Sequence, residues 1–289
     1  MNLFCFGLGY TASRFALHAR DHGHAAAGTK TSLDSDDAKA LQHARVKLAA
    51  FRGDGRSADA ARLLDGATHV LVSIPPDLEG DPVLRHHRAD LAQRPSIEWI
   101  GYLSTVGVYG DRQGQWVDET AALRPTSERS LRRVAAERAW LEFARAAGQR
   151  VEIFRLAGIY GPGRSMIEAL RRGTAKRLVK PGQVFNRIHV DDIVSTLEAV
   201  RSAEPRFDIY NVTDDEPAPP QEVVKFAAEL IGVPAPPEIA FERATLTPMA
   251  RSFYGENKRV SNARLKSALG LTLAYPTYRE GLAAIASGR

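Results

Sequence analysis

Cysteine is nearly absent from the 289-residue chain: Cys5 is the single instance. No internal disulfide can form, and Cys5 sits inside an apolar run, where a thiol acts as a small buried apolar group. That favours a reducing compartment. Long hydrophobic stretches are missing as well, and none reaches the roughly 18 residues of a membrane span. The first residues lack the basic leader and cleavage site of a secretory signal. A cytoplasmic protein with no membrane partner is therefore expected. Charge of one sign is not concentrated anywhere. The formal net charge is +5, from 39 basic and 34 acidic residues, and the pairs Arg132-Arg133 and Arg171-Arg172 lie on helical patterns. Without a basic arm, nucleic acid is not an expected partner; a mild pull on small anions is. His86-His87 lacks metal-ligand spacing, so no metal site is expected. Internal repeats and low-complexity tracts are missing too.

What the sequence does have begins at once. Leu3 to Phe6 reads as a buried strand, followed by Gly7-Leu8-Gly9-Tyr10-Thr11-Ala12 and a helical pattern carrying Phe15, Ala16 and Ala19 on one face. Gly7-x-Gly9-x-x-Ala12 has the spacing of a dinucleotide-binding turn. Gly7 permits the tight bend, Gly9 lets the backbone approach a pyrophosphate, and Ala12 is small enough for helix-on-strand packing. The helix N-terminus then offers amides to phosphate.

Further strands are expected over His24–Thr29, Val46–Phe51, His69–Ser73, Ser96–Leu103, Val151–Leu156 and Phe207–Val212. Helical patterns lie between them, including Ala58–Leu64 and a long one opened by Pro125-Thr126-Ser127, with Ser127 as cap. Such alternation implies an α/β fold, a doubly wound parallel sheet. Ligands in such sheets sit at the carboxyl ends of the strands. Gly7 to Ala12, Lys30-Thr31, Asp54, Ile74-Pro75 and Ser104-Thr105 all follow strands and are expected to share one rim. At the end of the second strand an acid would bond the ribose of NAD, whereas a base accommodates the extra phosphate of NADP. Lys30, with Thr31 beside it, favours NADP over NAD; the alternative is a plain surface lysine.

Several ordered segments resemble the extended short-chain dehydrogenase/reductase family, in its NAD-dependent epimerase and dehydratase branch. They are the glycine turn, Leu103-Ser-Thr-Val-Gly-Val-Tyr-Gly110, Val117-Asp-Glu119, Phe154-Arg-Leu-Ala-Gly-Ile-Tyr-Gly-Pro-Gly163, Arg187-Ile-His-Val-Asp-Asp192 and Tyr210-Asn-Val-Thr-Asp-Asp-Glu-Pro217. The resemblance covers nearly the whole chain. It implies a Rossmann-type NAD(P)-binding lobe, residues 1–160 plus 186–212, and a smaller C-terminal substrate-binding lobe, residues 161–185 plus 213–289. It also implies that Thr105 matches the catalytic Ser/Thr. A homodimer is a further expectation from such relatives.

One departure stands out. With Ala135-Ala136-Glu137 fixing the register, the family's Tyr-x-x-x-Lys falls on Arg129-x-x-x-Arg133. Residues four apart share a helix face, but arginine does not release a proton near neutrality. Arg133 could hold ribose hydroxyls, and Arg129 could polarise a carbonyl or clamp an anion. Tyr160 is the candidate proton relay, and Arg164 and Arg187 are candidate substrate contacts. His189 reads as a local structural group, and Asp191 or Asp192 as a helix cap. The sequence thus supports an NAD(P)-dependent oxidoreductase or epimerase/dehydratase-like enzyme for a small anionic molecule, such as a sugar nucleotide or carbonyl compound. The alternative is an inactive NADP-binding sensor or scaffold.

Overall fold

The computed structural model describes residues 1–288. Five strands of the central sheet and five α-helices lie in its first half. The strands are β1 (Asn2–Phe6), β2 (Ala25–Lys30), β3 (Lys47–Ala50), β4 (His69–Val72) and β5 (Trp99–Thr105). The helices are α1 (Tyr10–Asp21), α2 (Asp36–His43), α3 (Ala58–Leu63), α4 (Pro82–Ala92) and α5 (Glu128–Ala147). With strands Val151–Leu156 and Ile209–Val212, they form a seven-stranded sheet ordered 209–212, 151–156, β5, β4, β1, β2, β3. β1 pairs in parallel with β2 and β4, β2 with β3, and β4 with β5. This is the expected doubly wound α/β architecture, with the order reversing at β1, where such sheets open a crevice.

The chain divides into two compact units. Unit one is Met1–Ser104, Leu131–Phe154 and Leu197–Ile209; unit two is Thr105–Ser130, Arg155–Thr196 and Tyr210–Arg289. Unit one packs Phe4, Phe6, Phe51, Val70, Val72, Ile100, Tyr102, Trp140 and Phe143 into one core. Near-continuous apolar strands are what a sheet covered on both faces requires. Unit two has its own core, in which Tyr160, Ile167, Val223, Ala227, Tyr278 and Leu282 come together.

Caps mark the helix starts. Ser127 accepts from the amide of Ser130 at 3.2 Å, as expected of a cap opening α5. Asp81 caps α4, accepting from Val83 and Leu84 amides, and also receives the Trp140 indole at 3.1 Å. Asp192 behaves differently from expectation. The helix Val190–Ser202 already contains it, and its carboxylate accepts from Ala274 and Tyr275 amides at 2.7 and 3.0 Å. It ties down a distant segment rather than its own helix start. His189 is local as expected, its Nδ1 taking the Asp191 amide at 3.2 Å.

Gly28, inside β2, allows the closest backbone approach in unit one. A Cβ there would stand 2.5 Å from the Cys5 carbonyl oxygen and 2.8 Å from Leu8 Cδ1. Neither neighbour can retreat, since one is sheet backbone and the other is buried. Gly28→Ala should therefore destabilise the protein by about 1–3 kcal/mol, read from urea unfolding; unchanged stability would show that the sheet absorbs the methyl.

Candidate functional site

In unit one the glycine turn is held from three sides. The Gly7 amide donates to Thr29 Oγ1 at 2.9 Å, and the Leu8 amide to the Thr29 carbonyl at 2.8 Å. Gly7 has φ +87°, and a Cβ on it would lie 2.7 Å from Ile74 Cγ1. Ile74 thus wedges the turn, and only glycine fits beneath it. Gly9 is the opposite case. Its backbone is extended, and nothing lies within 4 Å of where its Cβ would be. The first backbone bond of α1 runs from Ser13 to the Gly9 carbonyl at 2.8 Å. No side chain caps this end, and among the described residues no acceptor meets the amides of Thr11 and Ala12. Unbonded amides at a helix start suit an anion. Leu8, Thr11 and Ala12 are buried, and Tyr10 is half-buried. A dinucleotide's diphosphate therefore fits this turn.

The end of β2 differs from the sequence expectation. Lys30 Nζ makes an ion pair with Asp37 on α2 and donates to the Leu8 carbonyl at 3.2 Å. The lysine's hydrogen bond holds the Asp37 carboxyl down at about 2. Lys30 is thus a strut between the glycine turn and α2, and its charge is matched by an acid in the first turn of α2. That removes the premise of the NADP preference. Thr31 and Asp54 are exposed, and the Thr31 carbonyl accepts from Arg52 Nε at 3.3 Å. The Gly53 carbonyl before Asp54 is taken by Arg85 and His86, both at 2.9 Å. Pro75 is exposed beside Ile74.

Two further residues of unit one turn out to be occupied. Ser104 is buried and donates to Glu137 at 2.5 Å. Arg133 donates to the Tyr102 hydroxyl at 3.0 Å and the Leu103 carbonyl at 2.8 Å, with its guanidinium beside the Tyr102 ring. Burial pushes the Tyr102 phenol up, and Arg133 only partly opposes this. Glu137, used in the sequence as a register mark, is a buried partner of β5.

In unit two, Thr105 ends β5 and its hydroxyl oxygen accepts the Gly107 amide at 3.1 Å. That bond uses a lone pair and leaves the hydroxyl proton for another acceptor. Ser130 Oγ lies near the same turn; a Cβ on Gly107 would stand 2.9 Å from it. Arg129 is exposed, its guanidinium 5.4 Å from the Phe253 ring centroid. Arg164 is exposed in a tight turn closed by its own backbone bonds to Gly161.

Tyr160 is a core residue. Its ring fills the space that a side chain on Gly281 would need, and its hydroxyl donates to the Thr277 carbonyl at 3.3 Å. Burial, with Asp214 and Asp192 nearby, raises its phenol far above the ordinary value. A proton relay through Tyr160 is therefore disfavoured. Arg187 anchors through Nη1 to the carbonyls of Phe185 and Ala218, at 2.9 and 3.2 Å.

Asp214 has no counterpart in the sequence reading. Its carboxylate is buried, Oδ1 takes the Glu216 amide at 3.3 Å, and Oδ2 has no partner. Burial raises its carboxyl to about 8, against the opposing pull of Arg187. The run Thr213-Asp-Asp-Glu gave no sign of which acid turns inward.

Comparison with known proteins agrees with the architecture. Residues 89–213 match the family model of the NAD dependent epimerase/dehydratase family. The structure of a functionally unknown conserved protein from Silicibacter pomeroyi DSS is 45% identical, with 99% of this chain and 98% of that one covered and a TM-score of 0.87. This chain belongs to one family with that protein. Protein YeeZ of Escherichia coli K12 is 28% identical over 280 residues, 93% of this chain and 94% of that protein. The UDP-glucuronic acid 4-epimerase from Bacillus cereus, solved with UDP-glucuronic acid and NAD, shares the fold, with 14% identity, coverage of 99% and 98%, and a TM-score of 0.79.

The Asp214 titration gives a stability prediction. Unfolded aspartate titrates near 3.8, whereas the folded carboxyl keeps its proton to about 8. Between those values the folded state binds the extra proton, so this group's contribution falls as pH rises through the window. Asp214→Asn removes it. The variant should gain stability relative to the natural protein from pH 5 to pH 8, measured by urea unfolding; a difference constant with pH would contradict the assignment.

Proposed function

We propose that this protein is an NAD(P)-dependent oxidoreductase or epimerase/dehydratase-like enzyme acting on a small anionic substrate. The observation that carries the proposal is the open space beside Gly9 at a helix start where, among the described residues, no acceptor meets the amides of Thr11 and Ala12, next to the fixed Gly7 turn. These residues would hold the diphosphate of a nicotinamide dinucleotide. When bound, that group would supply or accept hydride at its nicotinamide ring.

For the choice of dinucleotide, the Lys30–Asp37 pair supports NAD. Asp37 keeps an ionised carboxylate, able to accept from ribose, and Lys30 is engaged by it. NADP would need this pair to open, with Arg52 as a neighbouring cation. The Bacillus cereus epimerase, which shares the fold, was solved with NAD.

The chain's own chemistry rests on hydrogen bonding more than on proton transfer. Thr105 is assigned to donate to the reacting oxygen of the substrate, its lone pair being fixed by Gly107. Arg133 is assigned a structural hold on β5, since its Nη1 serves Tyr102 and Leu103. Arg129 remains a surface cation for an anionic group, and Arg164 and Arg187 are the proposed substrate contacts. A second reading, dinucleotide binding without turnover, is favoured by one specific observation. The hydroxyls of Ser104 and Tyr160 and the Nη1 of Arg133 are spent on internal partners.

Two variants test the proposal. Gly9→Val should weaken dinucleotide binding, measured by calorimetry, by about a hundredfold while leaving the fold intact by circular dichroism; retained affinity would make the turn a mere connection. Asp37→Ala should shift the NADP/NAD affinity ratio toward NADP by about tenfold; an unchanged ratio would remove the Lys30–Asp37 pair from cofactor choice.

A further inference from the structure

Arg187, half-buried in unit two, leaves half of its hydrogen-bonding fork unused. Nη1 is spent on the Phe185 and Ala218 carbonyls. Among the described residues no protein acceptor meets Nε or Nη2, and neither atom is sealed from solvent. The guanidinium lies 5.9 Å from the Tyr278 ring centroid, and the buried rings of Tyr160 and Tyr254 fall within its field. Burial makes its charge harder to hold than on an open surface, Asp214 partly opposes this, and among the described residues no carboxylate makes an ion pair with it. A partly buried cation without a counter-ion is costly, and a planar two-donor edge matches a carboxylate or phosphate.

The neighbouring charges do not fill that role. Glu216 is paired with Arg279, and Asp215 with Lys266. Glu280 holds the Thr277 cap, and Asp192 is occupied by two backbone amides. That leaves Asp214, whose amide bonds the Arg187 carbonyl at 2.7 Å and whose Oδ2 is unpartnered. Tyr160 is the remaining titratable group that acts on both.

We propose that the Nε–Nη2 edge of Arg187 receives an oxyanion of the substrate, and that Asp214 is the internal counter-ion competing with it. The proposal rests on unit two's carrying the substrate contacts of the enzyme proposed above. With its proton on, Asp214 leaves the guanidinium charge for the ligand. Once ionised, near pH 8, it neutralises that charge and repels the incoming anion. Affinity for the anion therefore falls as pH rises through that value. Binding in turn favours the protonated carboxyl, so it draws a proton from solution on the alkaline side.

The test uses the full-length protein and two probes that do not titrate between pH 6.5 and 9.5, acetate and sulfate, at fixed ionic strength with chloride as background. Saturable binding by calorimetry is expected at pH 6.5, weakening by about tenfold by pH 9.5. Preference for acetate would identify a carboxylate ligand, and preference for sulfate a phosphate-like one. Arg187→Lys, which keeps a charge but loses the fork, should bind about tenfold more weakly at pH 6.5. Asp214→Asn should bind at pH 6.5 as the natural protein does and lose the pH dependence. Absence of saturable binding, equal affinity in Arg187→Lys, or an unchanged pH profile in Asp214→Asn would each overturn the proposal. If Arg187→Lys fails to fold, the comparison of the natural protein with Asp214→Asn still decides. NAD titration of the same samples separates this result from the cofactor proposal, because the Arg187 variant keeps the glycine turn.

Discussion

Thr29 carries the geometry of the candidate site. Its hydroxyl takes the Gly7 amide and its carbonyl takes the Leu8 amide, so one residue of β2 sets both bends of the turn after β1. Leu8 then settles over Gly28, where no side chain competes, and Ile74 closes over Gly7. With Gly7 and Leu8 fixed in this way, Gly9 is delivered to the start of α1 with open space ahead of it. Loosening any of these contacts would let the turn relax into the volume that a diphosphate needs. Lys30 reinforces the arrangement from the other side, through the Leu8 carbonyl.

Both units hold buried polar atoms that meet no partner among the described residues. In unit one, Ser104 bonds Glu137 at the end of β5, and Arg133 bonds Tyr102 and Leu103 through Nη1. Such internal bonds stiffen a framework. In unit two, Asp214 is buried with an oxygen unmet, and Arg187 has donors to spare. Buried polar groups are ordinarily paired, so an unmet one marks a place where a ligand or a proton completes the structure.

Much of the fold was legible in the sequence. The strands at Leu3–Phe6, Val151–Leu156 and His69–Val72 are short apolar runs bounded by glycine, proline or polar residues, and they fall where the pattern puts them. The helix α4 was not read. It begins at Asp81-Pro82, and its Arg85, His86 and Arg88 obscure the apolar stripe of Val83, Leu84 and Leu91. Helices Pro248–Phe253, Ala263–Leu269 and Tyr278–Ala286 are too brief for the sequence to show a clear period. In the site, the glycine spacing was legible because it reflects backbone geometry. Pairings were not, since Lys30 meets an acid seven residues on, Ser104 meets Glu137 on another element, and the burial of Asp214 depends on tertiary packing. An isolated glycine in a strand was the available hint for Gly28.

Amide hydrogen exchange of residues 7–13, with and without saturating NAD(H), tests the central claim most directly. The account predicts slowed exchange concentrated at the amides of Gly9 to Ala12, with little change at β3. Saturation by NAD(H) without added protection at those amides, or no saturable binding at all, would contradict it.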